Sequence, residues 1–263
     1  MDGLLLGAAD LDLRGNGAAN DLWGNSGHNI VSGGGGGDRL WGGAGSDRLA
    51  SGAGKDALYG GAGRDVLEGN GGADLLHGGA GADTVFYRGE ADVVVDLAAG
   101  RATGQGADRL KSIEAVTTGG GDDQLLGNAR SNRLAGGSGD DLIEGRGGDD
   151  RLFGGAGNDR LAGGDGNDRM VGGAGADEFV FDLRTAGRQQ DAVMDLSAGD
   201  RLVFVLDDPF AYASANDFVA RHGVSTHGDF GLNVNETWVF ISGADEGSAL
   251  AAIDLPTAVG LLA

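Results

Sequence analysis

The chain repeats itself every nine residues, and no other property constrains it as much. From Gly33 it reads GGGGGDRLW, GGAGSDRLA, SGAGKDALY, GGAGRDVLE, GNGGADLLH and GGAGADTVF. Two looser copies, GNGAANDLW from Gly15 and GNSGHNIVS from Gly24, precede these, so a first block of eight copies spans 15–86. A second block, over 118–180, has seven: TGGGDDQLL, GNARSNRLA, GGSGDDLIE, GRGGDDRLF, GGAGNDRLA, GGDGNDRMV and GGAGADEFV. A short fixed period marks a solenoid, in which each unit buries its apolar face only against its neighbours.

Each column of the repeat has a physical task. The eighth position is apolar throughout, from Leu22 to Val85 and from Leu125 to Phe179. One apolar residue between polar ones predicts a very short strand with one buried face. Positions one, two and four are mostly glycine, which lets the backbone turn tightly with positive φ and leaves carbonyls free to face an ion. Position six is Asn20, Asn29, Asp38, Asp47, Asp56, Asp65, Asp74 and Asp83, then Asp123, Asn132, Asp141, Asp150, Asp159, Asp168 and Asp177. A carboxylate at every turn is repulsive unless a cation sits between copies. Oxygen ligands in irregular cages suit calcium better than magnesium. Turn capping by aspartate alone would require neither the three glycines nor this register.

The pattern GGxGxDxUx, fifteen times in register, resembles the RTX repeat of secreted bacterial proteins, which binds calcium. The resemblance covers about 135 residues. It implies an all-β fold, a right-handed parallel β-roll (a β-solenoid of 18 residues per turn) with a C-terminal β-rich cap. It also implies calcium between turns two copies apart, held by aspartate carboxylates and glycine-region carbonyls. Carried onto this chain, one stack uses Asp38, Asp56 and Asp74 and the other Asp47, Asp65 and Asp83. In the second block the stacks are Asp123, Asp141, Asp159, Asp177 and Asp150, Asp168. One site per adjacent same-side pair gives about eight to eleven calcium ions. Asn20, Asn29 and Asn132 carry no charge, so the first site of each stack should be weaker. Ala18 and Arg130 stand where the fourth glycine belongs, and a full site is not expected there.

Composition agrees. Glycine supplies 56 of 263 residues and proline 2, which excludes collagen. Forty acidic and 19 basic residues give a net charge of -21. Such a chain repels itself and does not bind nucleic acid through phosphate contacts. About ten divalent ions would bring roughly +20. There is no cysteine, so disulfides, thiol catalysis and zinc–thiolate sites are excluded. The segment 1–14 has no basic region before Leu4, Leu5 and Leu6 and is no cleavable secretory signal. It is read as the start of the roll. No stretch reaches the length of a membrane span.

The segment 87–117 breaks the period. It predicts a strand over 92–97, a glycine-rich turn and a strand over 109–116, read as an irregular solenoid insert joining both blocks into one rod. Its DVVVDLAAG, from Asp92, echoes DAVMDLSAG from Asp191. The segment 181–263 loses the glycines and predicts strands over 201–206 and 237–241, with a helix over 213–221. Its phenylalanines and Trp238 suit an end cap, because the last turn of a solenoid exposes core. The resemblance implies an uncleaved type I secretion signal here, although Val259-Gly-Leu-Leu-Ala263 lacks an acidic-then-hydrophobic ending.

Catalytic motifs are missing. There is no HExxH, and Ser138 lies in GGSGD, one glycine short of GxSxG. The GxGxxG strings fall inside repeats. Asp10-Leu-Asp12 lacks the glutamate that closes an EF-hand loop. His222 and His227 flank a loop near Asp229 and are read as solvent-exposed. On one face, Trp23, Trp41, Tyr59 and His77 occupy the ninth position of every second copy, which predicts a ladder spaced roughly 4.8 Å apart. This stripe either binds a sugar polymer or partner, or shields the sheet.

The reading is a non-enzymatic, monomeric, secreted calcium-binding module that folds in extracellular calcium after type I export and acts as a structural, surface or carrier module. The alternatives are the secretion and folding portion of a larger exported enzyme (protease, lipase or alginate epimerase) and a polysaccharide-binding module. The opening Met1 and the degenerate first copies favour a complete chain.

Overall fold

The computed structural model describes residues 2–184, 189–205, 223–226, 229–234, 237–242 and 252–254. The expected helix over 213–221 and the two loop histidines, His222 and His227, lie outside them. The chain forms two compact units, Met1–Leu126 and Gly127–Ala263. Each is built from parallel strands that alternate between two sheets, so that partners are 18 residues apart: Leu22 with Leu40, Val31 with Leu49, Leu134 with Leu152.

In the unit Met1–Leu126 one sheet runs Gly3–Leu4, Asp21–Trp23, Arg39–Ala44, Ala57–Ala62 and Leu75–Ala80, all parallel. The other runs Asp12–Asn16, Ile30–Gly35, Arg48–Gly54, Val66–Gly72 and Thr84–Phe86. In the unit Gly127–Ala263 the sheets are Leu142–Gly147, Arg160–Asp165, Glu178–Asp182 and Arg201–Val205, and Arg133–Ser138, Arg151–Ala156, Arg169–Ala174 and Gln190–Val193. The latter sheet continues through parallel Thr237–Ser242 and closes with two antiparallel strands, Asp229–Val234 and Gly223–Thr226.

Burial alternates along each strand, as a half-buried strand requires. Position eight points inward: Leu22 is 1 % exposed, and every described eighth-position side chain from Val31 to Val85 and from Leu125 to Phe179 is 0 % exposed. The core is therefore a single file of one side chain per copy. Burying a leucine stabilises by roughly 1.5–3 kcal/mol. Ordering one residue's backbone opposes folding by about 1–2 kcal/mol, so one leucine cannot order nine residues unaided.

Stacking places positions two and four at positive φ in most copies, which favours glycine, although Asn70 and Arg146 take that conformation at position two. Gly43 and Gly45 have φ of 113° and 100°. A Cβ on Gly43 would sit 2.1 Å from the Asn25 carbonyl oxygen, and one on Gly45 2.4 Å from that of Gly27.

The insert differs from the sequence reading. The strand expected over 109–116 is two strands, Ala107–Lys111 and Ala115–Thr117, in different sheets. They separate at Ser112, whose φ is 50°. Val94–Asp96, Arg101–Thr103 and Ala107–Lys111 pair antiparallel, a reversal inside an otherwise parallel sheet. Gly100 and Gly104, both at positive φ, turn the chain at either end of Arg101–Thr103.

Candidate metal centre

Position six stands where the turn meets the strand, and its side chain is buried in every described copy, at 0–4 % exposure. One carboxylate oxygen of each aspartate ties successive turns together. The Asn20 N–H donates to Asp38 Oδ1 at 2.8 Å, Asp38 to Asp56 at 2.7 Å, Asp56 to Asp74 at 2.8 Å, and Asp74 to Asp108 at 3.0 Å. A second column runs from Asn29 through Asp47, Asp65 and Asp83 to Glu114. In the unit Gly127–Ala263 the columns are Asn132, Asp150, Asp168, Asp191 and Asp141, Asp159, Asp177, Asp200. Asp123 receives the Val93 N–H at 2.7 Å. Asp38, Asp56 and Asp74, then Asp47, Asp65 and Asp83, Asp141, Asp159 and Asp177, and Asp150 and Asp168, thus stand in register two copies apart.

The other oxygen is the informative one. Oδ2 of Asp38, Asp47, Asp56, Asp65, Asp74, Asp83, Asp150, Asp159, Asp168 and Asp177 is buried and receives no hydrogen bond. Leaving a buried carboxylate oxygen unsatisfied is costly. Beside each of these Oδ2 atoms except that of Asp56, whose copy begins with Ser51, lies the first glycine of the copy. A Cβ on Gly42 would come 2.4 Å from Asp47 Oδ2 and 2.5 Å from the Gly60 carbonyl oxygen, and one on Gly154 2.2 Å from Asp159 Oδ2 and 2.6 Å from the Gly172 carbonyl oxygen. The missing side chain leaves a small oxygen-lined cradle between turns two copies apart. Burial pushes Asp74, Asp83, Asp159 and Asp168 up to about 6 and Asp150 and Asp191 to about 7; the donated N–H opposes the rise and neighbouring carboxylates add to it. Each such carboxylate needs either a proton or a cation.

Calcium fits this donor set. Among the described residues no three His, Asp or Glu side chains converge. A cation here must complete its shell with backbone carbonyls, an all-oxygen set suited to a hard ion.

The asparagine copies are built differently. The Asn16 N–H donates to Asn20 Oδ1 at 2.9 Å, Asn25 to Asn29 at 2.8 Å, and Asn128 to Asn132 at 2.8 Å. The second-position asparagine in turn accepts the N–H of position four, Ala18, Gly27 or Arg130. None of those second- and fourth-position residues has positive φ. This turn closes on itself, and it explains how Ala18 and Arg130 are tolerated. Asn20, Asn29 and Asn132 stand in the expected columns, but each Oδ1 is already engaged.

The far ends of the columns were not legible in the repeat. Asp108, Asp191 and Asp200 are 3–5 % exposed and continue the ladder across interruptions of 34, 23 and 23 residues. Two of them meet protein donors: the buried Tyr87 hydroxyl donates to Asp108 Oδ2 at 3.0 Å, and the Ser197 N–H to Asp200 Oδ2 at 2.6 Å. Both carboxylate oxygens of Asp195 accept, from the N–H groups of Gly172 and Gly173. The signal in the sequence is the local triplet Asp108-Arg109-Leu110 or Asp200-Arg201-Leu202, identical to Asp38-Arg39-Leu40.

The aromatic column forms as spaced. Trp23 and Trp41 stack with centroids 4.8 Å apart and planes 4° from parallel, and Trp41 stacks on Tyr59 at 5.6 Å. Tyr59 meets His77 edge-on at 6.0 Å. Both faces of Trp41 are occupied by its neighbours, so the stack turns ring edges outward.

Stacked turns lined by carboxylates and carbonyls define a cation-binding parallel β-solenoid. The sequence profile of the RTX calcium-binding nonapeptide repeat matches residues 14–94 and 117–179, 144 of 263 residues and so more than half of the chain. The chain belongs to that repeat family. No significant match was found among curated proteins. Among solved structures the chain is similar to the extracellular lipase LipA from Serratia marcescens, with 16% identity, 90% of this chain and 40% of that chain covered, and a TM-score of 0.39. The chain thus spans well under half of that lipase. No described helix is long and apolar enough to cross a membrane.

Proposed function

We propose that this chain is a calcium-binding β-roll module that is exported unfolded and acquires its fold when extracellular calcium fills the turns. The observation that carries this reading is the set of buried Oδ2 atoms without a donor, those of Asp38, Asp47, Asp65, Asp74, Asp83, Asp150, Asp159, Asp168 and Asp177 each lying beside a cradle that a first-position glycine leaves open. When bound, calcium supplies the positive charge those oxygens lack. The chain supplies the rest. Asp38, Asp47, Asp56, Asp65, Asp74, Asp83, Asp123, Asp141, Asp150, Asp159, Asp168 and Asp177 contribute carboxylates, and the first-position glycines contribute space and carbonyls. Within the columns Oδ1 orients the carboxylate through the N–H two copies earlier, as Asp56 does with Asp38 and Asp177 with Asp159. At a net charge of -21 and with a single-file core, the cation-free chain stays expanded at neutral pH, which suits passage through a secretion channel. The module serves a structural or carrier role.

The test is a calcium titration of chelator-stripped protein followed by far-UV circular dichroism, with magnesium as control. The expected outcome is a cooperative coil-to-β transition at about 0.1–1 mM calcium, the range of extracellular sites, and none with magnesium. Asp56→Asn and Asp159→Asn should each move the midpoint to higher calcium. A chain fully folded in chelator and indifferent to calcium would overturn the reading.

A further inference from the structure

In the unit Gly127–Ala263 the outward seventh-position row carries arginine on three successive rungs. Arg133 is in register with Arg151, and Arg151 with Arg169, at a strand spacing of about 4.8 Å. All three are exposed. The Arg133 guanidinium lies over the Phe153 ring, 4.0 Å from its centroid. Among the described residues none of the three makes an ion pair, and no other row has three cations in succession.

Elsewhere Arg101 and Arg109 stand opposite each other as a pair, and carboxylates accompany several of the other cations. Arg160 and Arg201 share Glu178, Arg48 and Arg88 share Glu68, and Arg39 meets Asp21. Like charges directly opposite on neighbouring strands are destabilising. A chain with 40 acidic residues nevertheless keeps this row free of them. The adjacent ninth-position row, Ala135, Phe153 and Val171, is half-buried and apolar, and Met194 beyond it is 44 % exposed.

We propose that this face binds a linear acidic polysaccharide with one carboxylate per sugar ring. Guanidinium forks grip carboxylates through paired hydrogen bonds, and the apolar row of Phe153, Val171 and Met194 beside them suits the C–H surface of a sugar. Spacing favours a sugar over a peptide. Same-side side chains of an extended peptide recur every two residues, roughly 6.6 Å, and fall out of step with the arginines after one rung. A pyranose chain advances by about one strand spacing per ring. The folded protein repels a polyanion until its turns carry cations, so binding belongs to the calcium-loaded state; to that extent the proposal rests on the function proposed above.

The experiment compares binding of short, non-gelling oligogalacturonate to the calcium-loaded full chain and to two variants of equal net charge, R133Q/R151Q/R169Q and R39Q/R101Q/R109Q. Circular dichroism in calcium first establishes that each is folded, which separates failure of the calcium reading from failure of this one. The expected result is roughly a tenfold or greater loss of affinity in the first variant and less than about twofold in the second. A neutral oligosaccharide of equal length should not bind. Should the triple variant not fold, Arg151→Gln alone should weaken binding roughly threefold. No binding by the parent, equal losses in both variants, or equally tight binding of polyglutamate would each overturn the proposal, the last by assigning the face to acidic peptides.

Discussion

The Asn25 N–H donates to Asn29 Oδ1 across 2.8 Å, closing within one copy a turn that the copy stacked two further on, from Gly42 to Asp47, leaves open around an unpartnered Asp47 Oδ2. The two turns differ in backbone as well, since Gly43 and Gly45 take positive φ while Asn25 and Gly27 do not. One copy satisfies itself; the other waits for a cation.

That contrast predicts that the two turn types can be exchanged. Asn25→Gly together with Asn29→Asp should add one calcium ion to the bound total, read by native mass spectrometry or calorimetry. Asn29→Ala should destabilise by about 1 kcal/mol, the worth of a typical turn hydrogen bond, to the same extent in chelator and in calcium wherever structure persists. An unchanged ion count in the double variant would show that the Asn turn is no barrier to a cation.

The buried carboxylates give the cation-free chain an inverted response to pH. The folded-state values of Asp74, Asp83, Asp159 and Asp168, at about 6, and of Asp150 and Asp191, at about 7, lie above the ordinary 3.8. Between about 4 and 7 the folded state therefore holds more protons than the unfolded one, and stability falls as pH rises. In chelator, β structure should be richer at pH 4.5 than at pH 7.5 by circular dichroism. With calcium the trend should reverse, because the ligands must shed protons to bind.

Tyr87 is the donor that ends one column. It is 2 % exposed, and its hydroxyl meets Asp108 Oδ2. Tyr87→Phe leaves that oxygen with no donor and should destabilise the calcium-loaded unit by about 1–3 kcal/mol in denaturant titrations, while the ion count stays the same.

Glycine is required at some positions of the turn and free at others. Gly43→Ala would force a Cβ to 2.1 Å from the Asn25 oxygen at φ 113°, whereas nothing lies within 4 Å of a Cβ on Gly71. Gly43→Ala should shift the calcium midpoint upward severalfold; Gly71→Ala should leave it within error.

Whatever recurs every nine residues was legible from sequence. The eighth-position core, the aspartate stacks and the Trp23–Trp41 spacing all follow from the period, because translation by 18 residues superimposes them. Features that depend on backbone angle were not. Asn29 and Asp47 differ at one atom of the side chain, and only the sign of φ at positions two and four shows that their turns are different objects. Asp108 and Asp200 escaped because the period fails around them while the local triplet persists. The strand Arg101–Thr103 read as loop, since its flanking glycines carry the stronger signal.

A ladder of near-identical rungs has a difficulty of its own: slipped by one full turn, most of its contacts are recovered. Leu40 against Leu58 is as good as Leu40 against Leu22. The self-closing turns at Asn20 and Asn29 and the Tyr87–Asp108 stop are the marks that such a slip would misplace. They act as the first and last graduations on a ruler, and they give a repetitive chain one correct count of rungs.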